Sequence, residues 1–153
     1  MKFFLFFVLV YSFASCNDFE PLQKHVIKDS IVSQVITDTV FTKGIEGPAM
    51  NSKGDLFIVN FKHEGTIGVL KKGSSDFELF VTLPIGSIGN GIRFDSNDNM
   101  FIADYKKHNI LFIEKGTKEV LVLCHNPAIN QPNDITLHKN GFGFASDPNW
   151  EHK

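Results

Sequence analysis

Two cysteines in a chain of 153 residues are too few for a disulfide framework. Lipidation or removal of Cys16 would leave Cys124 alone, and Cys124, closing the run "EVLVLC", is expected to be a small buried hydrophobe. Basic clusters are missing as well. Fifteen Lys and Arg stand against 17 Asp and Glu, for a formal net charge of −2, which leaves no surface for nucleic acid. No window places apolar residues at helical spacing, so helical bundles and α/β folds are excluded. The apolar run at residues 3–10 is far shorter than the ~20 residues that cross a bilayer as a helix. What remains, 42% hydrophobic and 21% charged, suits one globular domain.

The first sixteen residues, "MKFFLFFVLVYSFASC", carry one Lys, a short apolar core and small residues before the cysteine. That pattern is a secretory signal peptide and stands outside the fold. Its ending, "SFASC", resembles a bacterial lipoprotein signal in which Cys16 is lipidated and becomes the new N-terminus. Phe13 occupies a place usually held by a Leu-type residue, and ordinary cleavage near Ala14 or Ser15 is the alternative. The chain is therefore expected in the periplasm, outer membrane or cell surface through a lipid anchor, or else secreted. Residues 17–31 are polar without a period and form a tether; residues 32–153 are the folded part.

That part is a succession of short β-runs separated by Gly-, Asn- and Ser-rich turns. "EGPAMNSKGDLFIVN" (46–60) aligns without a gap on "NGIRFDSNDNMFIAD" (90–104) at a spacing of 44, and "NDITLHKNGFGFASD" (133–147) begins 43 residues later. Each unit has a polar head, a strand, a tight turn, an aromatic-rich strand and a closing Asn60, Asp104 or Asp147. "GTIGVLKKG" and "NILFIEKG" then supply a third strand, and "FELFVTL" and "EVLVLC" a fourth. Four strands per 40–45 residues define a propeller blade; a sandwich has no reason to repeat its turns at fixed spacing. The expected fold is all-β, a partial six-bladed β-propeller of about two and a half blades, at about 46–83, 90–124 and 133–153. "VSQVITDTVF" (32–41) would be the outer strand of a closing blade. Six blades at this spacing need roughly 260 residues, so the sequence corresponds to about half of such a ring, and its open sheet edges invite self-association.

Equivalent heads in successive blades point toward one axis. Glu46, Asn90 and Asn133 would thus bring a carboxylate and two amide oxygens together, a hard-oxygen set suited to a divalent cation. Bland roles compete. Asn-Asp after Pro often makes only an Asx turn. Asn97, Asp98 and Asn99 form a hairpin turn, Asp104 and Asp147 cap turns, His63, His108, His125 and His138 are solvated, and Phe142 and Trp150 pack between blades.

"EGPAMNSKGDLFIVN", "NGIRFDSNDNMFIAD" and "QPNDITLHKNGFGFASDPNW", in this order, resemble the first half of the gluconolactonase / senescence-marker-protein (regucalcin) family, over about residues 40–150. More distantly the chain is similar to paraoxonases and the strictosidine-synthase-like group. The resemblance implies a six-bladed propeller and metal-dependent opening of a lactone or sugar-acid ester with Ca2+ or Zn2+. By it, Glu46 is the first metal ligand, and Asn133 coordinates the metal or contacts substrate. Asn90 is a substrate-side position, and Asp134 braces the Asn133 turn or binds substrate. The family's further Asn and its Asp ligand, the expected base, come from later blades and have no counterpart here. No catalytic residue is therefore assigned, and the chain as it stands is expected to be inactive. The alternative function is a non-catalytic NHL-type propeller that binds partners at the cell surface.

Overall fold

The computed structural model describes residues 40–150, all within the compact unit Gln34–Lys153. The signal peptide with Cys16, the tether and most of the 32–41 strand lie outside the described residues.

Ten strands and no helix make up the described residues, in three antiparallel sheets. The first sheet runs in chain order through β1 (Ala49–Met50), β2 (Leu56–Val59), β3 (Thr66–Leu70) and β4 (Phe77–Thr82). The second repeats that order with β5 (Gly89–Phe94), β6 (Met100–Asp104), β7 (Asn109–Ile113) and β8 (Leu121–His125). The third contains β9 (Ile135–Leu137) and β10 (Gly143–Ala145). The repetition extends to irregularities. The β3–β4 ladder shifts register between Ile67 and Gly68, and the β7–β8 ladder shifts at the equivalent step, between Ile110 and Leu111. Two complete four-stranded blades and the first pair of a third are a partial β-propeller.

The turn between the first two strands of each blade shows how local chemistry enforces the repeat. In the first blade Asn51 accepts from the N–H groups of Lys53 and Asp55 and donates to the Asp55 carboxylate. In the second the two residue types are exchanged: Asp95 accepts from the N–H groups of Asn97 and Asn99, and Asn99 donates back to Asp95. The second partner then holds the next hairpin, Asp55 through the Lys72 N–H and Asn99 through the Lys115 N–H. One carboxylate and one amide suffice in either order, because each provides an acceptor for the turn and the amide supplies the cross-turn donor.

The tip of that turn is left-handed in all three units, at Gly54 (φ 87°), Asp98 (φ 65°) and Gly141 (φ 89°). Asp98 alone carries a side chain there, and it reaches the preceding blade: the Ser52 hydroxyl and N–H donate to its carboxylate, and Lys115 Nζ lies 3.2 Å away. These hydrogen bonds from Ser52, aided by Lys115, hold the Asp98 carboxyl at about 2, below its ordinary 3.8. A pKa depressed by folding gives stability that is present above pH ~4 and lost as pH falls toward 2. Asp98→Gly should therefore keep the turn and its left-handed tip while flattening the acid-side fall in melting temperature between pH 4 and 2. Identical acid profiles for the variant and the unmodified chain would contradict this tie between blades.

The hydrophobic core lies between the two complete blades. Phe57, Val59, Ile67, Val69, Val81 and Leu83 from the first meet Ile92, Met100, Ile102, Leu111 and Ile113 from the second. Phe57 stacks edge-on against Phe80 and tilts against Phe94, with ring centres 5.0 and 5.1 Å apart. The innermost strands are neighbours in series, β1 beside β5 and β5 beside β9.

Three expectations about burial need correction. Cys124 is exposed, as is the whole of β8, because this strand pairs on one side only and neither of its faces is covered among the described residues. Phe142 and Trp150 are 66% and 56% exposed and do not pack between blades. His108 is half-buried, with φ 58° and a buried Nδ1 without a partner, so it is not a solvated surface residue.

Candidate functional site at the blade heads

Each head residue follows a short segment that is pinned from the end of the next strand. Asn60, just after β2, donates from Nδ2 to the Gly44 carbonyl at 3.2 Å. Asp104, at the equivalent place, accepts from the Ile88 N–H at 3.1 Å, and Asp147 from the Gln131 N–H at 2.8 Å. The pinned residue lies two positions before Glu46, Asn90 and Asn133 in turn. The closing residues thus cap turns, and the turns they cap present the heads. Asp104 is fully buried and also accepts from the Lys107 N–H and from Asn109 Nδ2.

The residue after each head sets how closely the blades approach. Gly47 has φ 59°, and a Cβ built on it would lie 1.9 Å from the Asn90 carbonyl oxygen. Gly91 donates its N–H to the Asn133 carbonyl at 2.7 Å, and a Cβ there would meet that oxygen at 2.7 Å and Asp134 Oδ1 at 2.8 Å. Glycine at both places lets one backbone rest on the next. In the third unit Asp134 takes this position. Its carboxylate accepts from Arg93, with an oxygen at 2.8 Å, and from the N–H of Ile135. Asp134 accordingly braces its own turn and ties it to β5.

Glu46, Asn90, Asn133 and Asp134 line one cavity of about 280 Å3 together with Arg93. Glu46 is exposed, Asn90 is buried, and Asn133 is half-buried with its Nδ2 shielded from solvent and without a partner. Glu46 and Asn90 also face a second cavity, of about 250 Å3, lined by Asn60, Glu64, Tyr105 and Trp150 among others. Asn60 Oδ1 is likewise buried and unpartnered. Sequence reasoning did not mark Asn60, Tyr105, Arg93 or Trp150 for the site. Asn60 had a signal, its place at the close of the first repeat; the others carried none. A larger, apolar cleft of about 360 Å3, lined by Ile110, Leu123, Cys124, Phe142 and Phe144 among others, includes none of the heads.

The heads offer oxygen donors of the kind a divalent cation takes, but few of them: one carboxylate and two amides, against the 6–8 oxygens of a calcium site. No group of three His, Cys, Asp or Glu residues suited to a metal occurs among the described residues. The unpartnered Asn133 Nδ2 is a hydrogen-bond donor and fits a ligand oxygen better than a cation.

The architecture defines a class, the β-propellers, and the comparison with solved structures agrees. The chain is similar to a gluconolactonase of Xanthomonas campestris described as important in glucose secondary metabolic pathways, with a TM-score of 0.62 and 15% identity. The match covers 76% of this chain and 38% of that one. At this identity the likeness shows the fold, and this chain spans well under half the length of its neighbour. No protein-family model and no curated protein matches the chain.

Proposed function

We propose that the blade heads are part of a gluconolactonase-like site that takes a lactone or sugar-acid ester beside a divalent cation, calcium or zinc. The observation that carries this reading is the meeting of Glu46, Asn90 and Asn133 at one cavity, from positions 44 and 43 residues apart. Glu46 supplies the anionic ligand. Asn133 offers its unpartnered Nδ2 to a carbonyl or ring oxygen of the ligand, and Asn90 orients the ligand from the neighbouring blade. A cation bound there would polarise the lactone carbonyl as a Lewis acid. With one carboxylate and at most two amide oxygens for the cation, binding is expected to be weak, on the order of millimolar as in the weakest calcium sites, and turnover by this chain is expected to be undetectable.

A second reading, a non-catalytic NHL-type propeller, is favoured by the thin set of acidic ligands. Calorimetric titration with calcium separates the two. The metal-site reading expects weak binding that Glu46→Gln removes. Equal heats from both proteins, or none from the unmodified chain, would leave the scaffold reading standing. On the first reading a lipid anchor at Cys16 would hold the protein at the cell surface, with a small sugar-derived molecule as its partner.

A further inference from the structure

The sole tryptophan of the chain lies at the second cavity shared by Glu46 and Asn90. An indole 56% exposed leaves much of its apolar surface uncovered, although aromatic rings usually bury 150–250 Å2. Its backbone is nevertheless held in place by a chain of bonds. The Trp150 N–H donates to Gln131 Oε1 at 3.1 Å. The Gln131 N–H in turn donates to Asp147 Oδ1, and Asn130 Nδ2 to Asp147 Oδ2. Asn133 and Ser146 close the same hairpin, through Asn133 N–H to the Ser146 carbonyl and Ser146 N–H to the Asp134 carbonyl. The segment that carries the head residue Asn133 therefore also carries Trp150 to the cavity wall.

Besides Trp150, the cavity wall carries amides and charged side chains of both signs, Lys43 among them. It includes Glu46, Glu64, Asn90 and Asn60, whose Oδ1 is a buried acceptor with no partner in the protein, and Tyr105 adds a second aromatic ring. Carboxylates and amide oxygens accept from hydroxyl groups, whereas an indole face attracts apolar C–H groups. One class of small molecule has both surfaces: a polyhydroxylated ring, with hydroxyls around its rim and C–H bonds across its faces. A cavity of about 250 Å3 is of a size to hold one such ring. A purely apolar ligand would leave the buried Asn60 Oδ1 without a partner, which is costly.

We infer that Trp150 is a specificity-determining residue, stacking on the C–H face of a sugar-derived ring whose hydroxyls are held by Glu46, Asn60 and Asn90. This inference rests on the lactone reading of the blade heads and gives that reading a recognition surface.

The test is a titration of the full chain with D-glucono-1,4-lactone in the presence of calcium. Affinity is read by calorimetry for every protein, and in the unmodified chain also by emission from the single indole and by the ligand's proton shifts. Saturable emission change is expected, with the ring C–H protons moved upfield by the indole. Trp150→Ala should weaken binding by about tenfold, ~1.4 kcal/mol, and abolish the upfield shifts, while Trp150→Phe should keep binding within about threefold, ~0.7 kcal/mol. A merely structural role would not transfer a ring-current shift to the ligand. Unchanged affinity in Trp150→Ala would overturn the stacking role and leave the proposed function intact. If the unmodified chain binds no lactone, both fall, even where Glu46-dependent calcium binding persists.

Discussion

Gly47→Ala is expected to destabilise the chain by about 3 kcal/mol or more and to separate the first two heads. Two costs add at this position. The left-handed backbone disfavours any Cβ by roughly 1–2 kcal/mol, and here φ is 59°. The new methyl would also lie 1.9 Å from the Asn90 carbonyl oxygen, with the Asn90 carbonyl carbon and the Ile92 nitrogen close behind. All three atoms are backbone, so relief requires moving β5 away from the first blade, an overpacking cost of about 1–3 kcal/mol. Gly44→Ala is the matched control: its φ is 80°, but nothing lies within 4 Å of its Cβ, so only the strain should be felt. Urea denaturation of the two variants measures the difference. Equal midpoints would mean that the Glu46 and Asn90 segments do not rest on one another.

Asp104→Ala should cost a comparable amount for a different reason. The carboxylate is fully buried and serves three donors, the N–H groups of Ile88 and Lys107 and the side-chain amide of Asn109. Removing the acceptor strands them, at about 1–3 kcal/mol for each donor that water cannot reach. Because Ile88 sits two residues before Asn90, the loss should also loosen that head and weaken lactone binding. Asp104→Asn probes the geometry further. An amide oxygen can still accept from a backbone N–H, but the amide nitrogen would face Asn109 Nδ2, donor against donor. The Asn variant should fall between the Ala variant and the unmodified chain in thermal melts. An Ala variant that melts with the unmodified chain would show that the Ile88 turn stands without its cap.

Much of the fold was legible because propeller blades repeat their turn chemistry. The polar head and the closing Asn or Asp recur in all three units, and the Asn/Asp pair flanking the first turn in two. Each closing residue pins the backbone two positions before a head, Asn60 as donor and Asp104 and Asp147 as acceptors. The exchange of Asn51–Asp55 for Asp95–Asn99 kept the bonding while changing the letters. That Glu46, Asn90 and Asn133 line one cavity follows from the same repeat, since the strands they lead stand side by side. Burial was not. "EVLVLC" and the aromatic pair Phe142 and Phe144 are as apolar as any core strand, yet Cys124 and both rings are exposed. A strand's own pattern states which residues could be buried, and only the neighbouring layer states which are.

The sequence by itself determined the strands, the turns and the order of the blades, because these rest on contacts between residues close along the chain or copied at a regular interval. The tertiary structure alone decided that Gly47 and Gly91 let the heads touch, that Asp98 ties two blades together, and that Trp150 stands at the cavity of Glu46 and Asn90. Those relations join residues about 40 to 100 positions apart at different places in the repeat; the glycines after the heads recur in the sequence, but the spacing does not say what they touch.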